Sequence, residues 1–201
     1  MPTLLRLDTS ARTTGSHSRA LGDTAETRWR AAHPSGTVTR RDLGTNPVPI
    51  LTETAVAGFF VDTPTPAQQK ATAPSDALIA ELKAADTLLI TAPIYNFGVP
   101  ATLKAWIDQI TRIGHTFAYE DGAFRGLVPT RSAIIAAAYG APGYRDTMKE
   151  ADFLVPYLTF LLQFLGIETV SILAVEGTST DLDLTPQLAQ ADADLARLLA
   201  A

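Results

Sequence analysis

Cysteine is absent from this chain of 201 residues, which excludes disulfides, thiolate metal sites and cysteine nucleophiles together. Histidine is scarce: His17, His33 and His115 are scattered rather than set at ligand spacing, so metal chemistry is not expected. Positive charge is in deficit, with 16 Lys and Arg against 21 Asp and Glu and a formal net charge of -5. A chain without a broad cationic surface is a poor partner for nucleic acid, and any anion has to be held locally. No apolar run approaches the roughly 18 residues needed to cross a bilayer. The opening stretch MPTLLRLDTSAR lacks a basic leader, a long apolar segment and a cleavage site, so no membrane partner is expected and the expected location is the cytoplasm. The phosphate cradles GxxxxGK[ST] and GxGxxG and the nucleophile elbow GxSxG are also missing. What remains is 46% hydrophobic and 18% charged, which suits one domain over residues 1–201 with enough apolar surface to cover both faces of a sheet.

Strand and helix patterns alternate along the chain. TLLRLD (3–8) is a buried strand by its apolar run, and from Ser16 the residues Leu21, Ala25, Trp29 and Ala32 recur on one helical face until His33-Pro34-Ser35-Gly36 ends the pattern. TVTRRDL (37–43) alternates and is more polar, as an edge strand would be. The stretch from Gly44 to Pro74, with Pro47, Pro49, Pro64, Pro66, Phe59 and Phe60, reads as an irregular surface excursion suited to walling a pocket. SDALIAELKAAD (75–86) is expected to be a helix capped by Ser75, followed by the apolar strand TLLITAP (87–93). Then come a helix over 100–113 with Pro100 in its first turn, a hairpin-like segment over 117–126, and the strand SAIIAAA (132–138). A mostly apolar helix over 152–166 containing Pro156, a strand over 168–175 and an amphipathic helix from Thr185 complete the chain. This pattern predicts an α/β fold in three layers: a doubly wound, five-stranded parallel sheet of order 2-1-3-4-5, covered by helices on both sides.

Ligands of such sheets bind beyond the carboxyl ends of the strands, where the strand order reverses. Three loops leave those ends with unusual sequences, and in the order 2-1-3-4-5 they converge. The first, DTSARTTGSHS (8–18), carries Ser10, Arg12, Ser16 and Ser18 and opens directly into a helix. Hydroxyls, free amides at a helix N-terminus and a guanidinium suit a phosphate, although Ser16 or Ser18 serves equally well as a helix cap. The second, PIYNFGVP (93–100), brackets Tyr95, Asn96 and Phe97 between prolines. Such a turn offers donors and acceptors to the edge of a flat heteroaromatic ring and apolar surface to its face; plugging the top of the core is the plainer role for the same aromatics. In the third, YGAPGY (139–144), Gly140 and Gly143 permit close backbone approach. Trp106, at helical spacing after Pro100, is assigned to the core.

PIYNFGVPATLKAWID together with the Ser10 and Ser16-His17-Ser18 loop resembles the FMN-dependent NADH:azoreductases, quinone reductases of flavodoxin-like fold, and FAYEDGAFRGLV and PYLTFLLQFLGIETVSILAVEG extend the likeness over the whole chain. The resemblance implies FMN as cofactor, one per subunit, with NADH or NADPH as electron donor. Quinones or azo compounds would be reduced in a ping-pong cycle of hydride transfer, with no protein group acting as the catalytic residue. It implies that Ser10, Ser16, His17 and Ser18 hold the FMN phosphate and that Ile94, Tyr95, Asn96 and Phe97 contact the isoalloxazine. The family's Ser/Thr-Arg-Gly-Gly segment aligns with Ala138, Tyr139, Gly140 and Ala141, which lack the hydroxyl and the second glycine. It further implies a homodimer in which Tyr119 and Phe164 flank the neighbouring site. The competing readings are a flavodoxin-like electron carrier and a phospho-receiver domain; the latter needs an acidic cluster after the first strand, where Asp8 stands alone.

Overall fold

The computed structural model describes residues 1–200. Its main sheet has the order β2-β1-β3-β6-β7, built from β1 (Thr3–Asp8), β2 (Thr37–Asp42), β3 (Thr87–Pro93), β6 (Ser132–Ala138) and β7 (Thr169–Val175), with all neighbours parallel. With the small hairpin β4 (Phe117–Glu120) and β5 (Ala123–Gly126) set aside, this is the expected 2-1-3-4-5 order. The central strands can be largely apolar because both faces are covered. On one face, α1 (His17–Ala32) and α6 (Thr185–Ala200) close a cluster around Leu4, Trp29, Leu89, Ile134 and Leu173. On the other, α3 (Pro66–Lys83), α4 (Ala101–Ile110) and α5 (Val155–Phe164) close a larger one around Leu5, Leu7, Leu88, Ile90, Trp106 and Ile135. Trp106 is fully buried there, as expected.

Two expectations are corrected. The helix assigned to 75–86 begins at Pro66, with Thr65 as N-cap: Thr65 Oγ1 accepts from the Gln68 amide while Gln68 Oε1 accepts from the Thr65 amide. This reciprocal pair, with Pro66 at the first helical position, outweighs the interruption at Pro74. Ser75 is therefore no cap but a fully buried mid-helix residue whose hydroxyl donates to the Gln109 carbonyl. The Gly44–Pro74 stretch is correspondingly less irregular, since it holds α2 (Glu53–Gly58) and the first half of α3. It packs towards the far end of α4, where the Arg112 guanidinium lies 4.3 Å over the Phe59 ring and Gln109 Nε2 donates to the Pro49 carbonyl. Pro156 falls in the first turn of α5, where its missing N–H costs nothing.

A buried ion-pair network ties β1 to α1. Arg6, 2% exposed in the middle of β1, donates to Asp8, Asp23 and Glu26, and Glu26 in turn receives Arg30 and Arg40. A buried guanidinium left unpaired would cost several kcal/mol, so these carboxylates are a condition of placing an arginine there. Burial alone would raise the Glu26 carboxyl, but the hydrogen bonds from Arg40, Arg30 and Arg6 bring it down to about 2.

Candidate functional site

The carboxyl ends of β1, β3, β6 and β7 carry the loops that form the site. After Asp8 the chain is pinned sideways to β3: the Thr9 amide and hydroxyl both donate to the Thr91 carbonyl, at 3.1 and 2.8 Å. Asp8 Oδ1 takes bonds from Arg6 and from Thr91 Oγ1 at 2.8 Å. Arg19, on the first turns of α1, donates 2.8 Å bonds to the Ser10 carbonyl and to both oxygens of Asp42, and holds Asp42 below the usual carboxylate range. Ser10 is buried, and its Oγ accepts the Arg12 amide at 3.2 Å. Ser16 is the N-cap of α1, accepting from the Arg19 amide, and its hydroxyl lies 3.3 Å from that of buried Ser18. His17 is the first helical residue. Arg12 is exposed and forms no ion pair among the described residues. The loop thus offers hydroxyls, a helix N-terminus and an uncommitted guanidinium, with the Ser10 backbone held from behind by Arg19.

The PIYNFGVP segment is a tight reversal. Tyr95 and Gly98 exchange backbone hydrogen bonds of 3.1 Å in both directions, and the two residues between them have positive φ, 47° at Asn96 and 72° at Phe97. Both angles belong to the type I′ turn. Asn tolerates that region; Phe pays on the order of 1–3 kcal/mol for it. Phe97 is nevertheless half exposed, so burial of its ring does not explain the strain, whereas aiming the Asn96 and Phe97 groups outward does. The turn is clamped on two sides: the Ile94 amide donates to the Ala138 carbonyl at 2.9 Å and the Phe153 amide to the Phe97 carbonyl at 2.9 Å. Across the cleft, Tyr95 Oη lies 3.5 Å from Ser10 Oγ and accepts the Ala11 amide at 3.3 Å. The first and second loops, far apart in sequence, therefore touch.

Two cavities meet at Tyr95. A polar one of about 210 Å³ lies between the two clamped loops, with Ser10, Arg12, Ser16, His17 and Ser18 on one side and Pro93, Ile94, Tyr95, Ala138 and Gly140 on the other. An apolar one of about 690 Å³ is formed by Tyr95, Asn96, Gly98 and Val99 against Ala101, Lys104, Phe153 and Tyr157. The 44–65 segment lines neither, so within one chain it does not wall this site. Sequence reasoning missed Phe153, just before α5, and Tyr157 in its first turn, and also Thr178 and Ser179, which complete the polar cavity from the loop after β7. The signal for the last two was present: GTST at the carboxyl end of a strand has the same hydroxyl-rich composition as the first loop.

The third loop contributes through its backbone and its lack of side chains. Tyr139 points inward, 1% exposed, stacked on Tyr144 at 5.0 Å, and its hydroxyl donates to Asp152 Oδ2 at 2.9 Å. Burial and then the Asp152 bond push its phenol far above the ordinary value, so it is a neutral donor of the core. Ala141 is exposed and borders neither cavity. Tyr119 and Phe164 stand apart from both cavities, in an aromatic cluster where Phe124 bridges them at 4.9 and 5.5 Å and Phe117 lies 5.0 Å from Phe164. Phe164 ends α5 while Phe153 precedes its start, so the two lie roughly 16 Å apart at 1.5 Å per helical residue. In a single chain these two aromatics do not join the site.

No helix among the described residues is long and apolar enough to cross a membrane, and no group of three or more potential metal ligands occurs among them. The family model described as "Flavodoxin-like fold" matches residues 2–199. The FMN-dependent NADH:quinone oxidoreductase of Xanthobacter autotrophicus is 54% identical over 176 residues, covering 86% of this chain and 85% of the relative. The enzyme of the same name from Hydrogenovibrio crunogenus is 40% identical, with 90% and 91% covered. Among solved structures, an azoreductase from Bacillus anthracis str. Sterne superposes with a TM-score of 0.89 at 23% identity, covering 99% of both chains. An FMN-dependent NADH-azoreductase from Bacillus anthracis str. Ames Ancestor, in complex with FMN, superposes with a TM-score of 0.85 at 24% identity, covering 100% of this chain and 98% of that one. At these identities the two structures speak for the fold.

Proposed function

The chain belongs to the flavodoxin-like fold family, and on that premise we propose that it is an FMN-dependent NADH:quinone oxidoreductase and azoreductase. The observation that carries this reading is the contact of the hydroxyl loop with the Tyr-Asn-Phe turn through Tyr95, because one mononucleotide has to reach both. The two cavities fit the two chemically different ends of such a ligand. The hydroxyls of Ser10, Ser16 and Ser18, the N-terminus of α1 at His17 and the Arg12 guanidinium suit a phosphate. The turn at Ile94, Tyr95, Asn96 and Phe97 and the apolar cavity beside it suit a flat ring and an aromatic substrate.

FMN held there would supply the hydride-transfer chemistry between NADH or NADPH and a quinone. The protein's share is orientation. Ala138 and Gly140 border the polar cavity beside the serines, Asn96 offers an amide for the ring edge, and Phe153 and Tyr157 give the apolar cavity its aromatic wall. NADH, a proton and a quinone give NAD⁺ and the hydroquinone; complete cleavage of an azo bond takes four electrons and so two NADH. An apolar chamber of about 690 Å³ open beside the turn favours turnover of small aromatic substrates over the electron-carrier reading.

The assembly is a homodimer in this reading. Phe153, Phe160, Tyr119 and Phe124 are each more than half exposed, an unusual aromatic load for free surface, and a second copy of the chain is the partner that would bring Tyr119 and Phe164 towards a neighbouring Tyr95–Gly98 turn. The protein is assigned to the cytoplasm as a single domain. The test is the absorption spectrum of the purified chain before and after anaerobic NADH: a flavin band, released as FMN on denaturation and bleached by NADH, is expected. A colourless protein that neither binds added FMN nor oxidises NADH with a quinone present would overturn the proposal.

A further inference from the structure

We propose that Ser179, on the loop after β7, is a hydroxyl ligand for the phosphate–ribityl tail of the flavin; this rests on the FMN reading above. The backbone there is stitched to the loop after β6. The Thr178 amide and hydroxyl both donate to the Tyr139 carbonyl at 3.0 Å, and the Ser179 amide donates to the Gly140 carbonyl at 3.0 Å. Glu176 adds a second set of ties, its carboxylate accepting the Arg145 amide at 2.7 Å and the Gly143 amide at 3.4 Å. Gln187 of α6 holds Glu176 in turn, exchanging 2.8 and 3.1 Å bonds with its backbone.

The side chain of Ser179 is the part left uncommitted. Its hydroxyl, on an exposed residue, has no hydrogen-bond partner among the described residues, and it lines the same polar cavity as Ser16 and Ser18. Gly140 makes room for it: a Cβ at that position would stand 3.0 Å from Ser179 Oγ, closer than ordinary contact. A side chain on the third loop and a hydroxyl from the fourth would thus compete for one place, and this sequence places the hydroxyl on the fourth. Ala138 and Ala141 carry none.

The sheet face decides which end of the ligand Ser179 meets. Ser16–Ser18 open α1 and Thr178–Ser179 lead towards α6, and these two helices cover the same face. The apolar cavity, with Phe153 and Tyr157, belongs to the face of α4 and α5. A polyhydroxyl chain ending in a phosphate loses hydration that only the hydroxyl-lined side replaces, whereas a tricyclic ring is accommodated on the apolar side.

The experiment titrates the apoprotein with FMN and, separately, with lumiflavin, the same ring without the tail, following flavin fluorescence. Ser179→Ala is expected to raise the Kd for FMN about tenfold, the loss of one hydrogen bond to a charged or strongly polar group, and to leave the Kd for lumiflavin unchanged. Ser179→Thr, which keeps the hydroxyl, restores FMN affinity. An unchanged FMN affinity in Ser179→Ala, or an equal loss for FMN and lumiflavin, overturns the inference while the oxidoreductase reading stands. A wild-type chain that binds neither flavin overturns both.

Discussion

Tyr95 Oη sits 3.5 Å from Ser10 Oγ and accepts a 3.3 Å hydrogen bond from the Ala11 amide, so one phenol joins the turn after the third sheet strand to the loop after the first. Both bonds are long, and their worth to global stability is small. Their worth to the site is positional. Tyr95→Phe is expected to leave the urea midpoint nearly unchanged while raising the FMN dissociation rate several-fold, measured by stopped-flow release. A Tyr95→Phe protein that releases FMN at the wild-type rate would mean that the two loops are held together without this contact.

Phe97 is the strained member of the turn, at φ 72° with half its surface exposed. Glycine adopts that angle freely. Phe97→Gly should therefore gain stability, by about 1 kcal/mol in chemical denaturation. Loss of stability instead would mean that the ring's packing is worth more than the backbone strain costs.

Glu26 accepts Arg6, Arg30 and Arg40 and ionises at about 2 in the fold, against an ordinary value of 4.5. A lowered folded-state value means that the ion pairs contribute fully above about pH 4.5 and that this contribution is lost as the pH falls towards 2. At pH 7 the wild type should exceed Glu26→Gln by on the order of 3 kcal/mol, and the gap should close progressively between pH 5 and pH 2. A gap independent of pH would place the effect in packing rather than in charge.

Phe160, 68% exposed, stacks on Phe164 at 6.3 Å and so extends the Phe117–Phe124–Phe164 aromatic cluster to the surface of α5. Phe160→Glu removes no core contact and is expected to convert the dimer to a monomer in sedimentation, with a large fall in quinone reductase activity and little change in FMN content. If the wild type sediments as a monomer, the dimer proposal fails whatever the variant does.

The strand order followed from the sequence because apolar runs such as TLLITAP and SAIIAAA can only be satisfied when both faces are covered, and helices between successive strands force a parallel, doubly wound sheet. The hydroxyl loop and the Tyr-Asn-Phe turn were legible for a similar reason: each sits directly at a strand end, and its composition is wasted on a plain connection. Ser75 reads as a cap in the sequence because Pro74 interrupts the local helical pattern, whereas the reciprocal Thr65–Gln68 bonds that start the helix lie earlier in the chain. Tyr139 was placed with the site because a sequence does not say which way a side chain turns, and burial against Tyr144 and Asp152 turned it inward. Ser179 and Phe153 were invisible for the complementary reason: they reach the site from other strands and helices, through contacts that exist only once the sheet has brought four loops to one edge. Periodicity and composition, which are local, determined the elements and their order. The direction of each side chain and the company it keeps depend on packing between distant segments, and only the folded chain decided those.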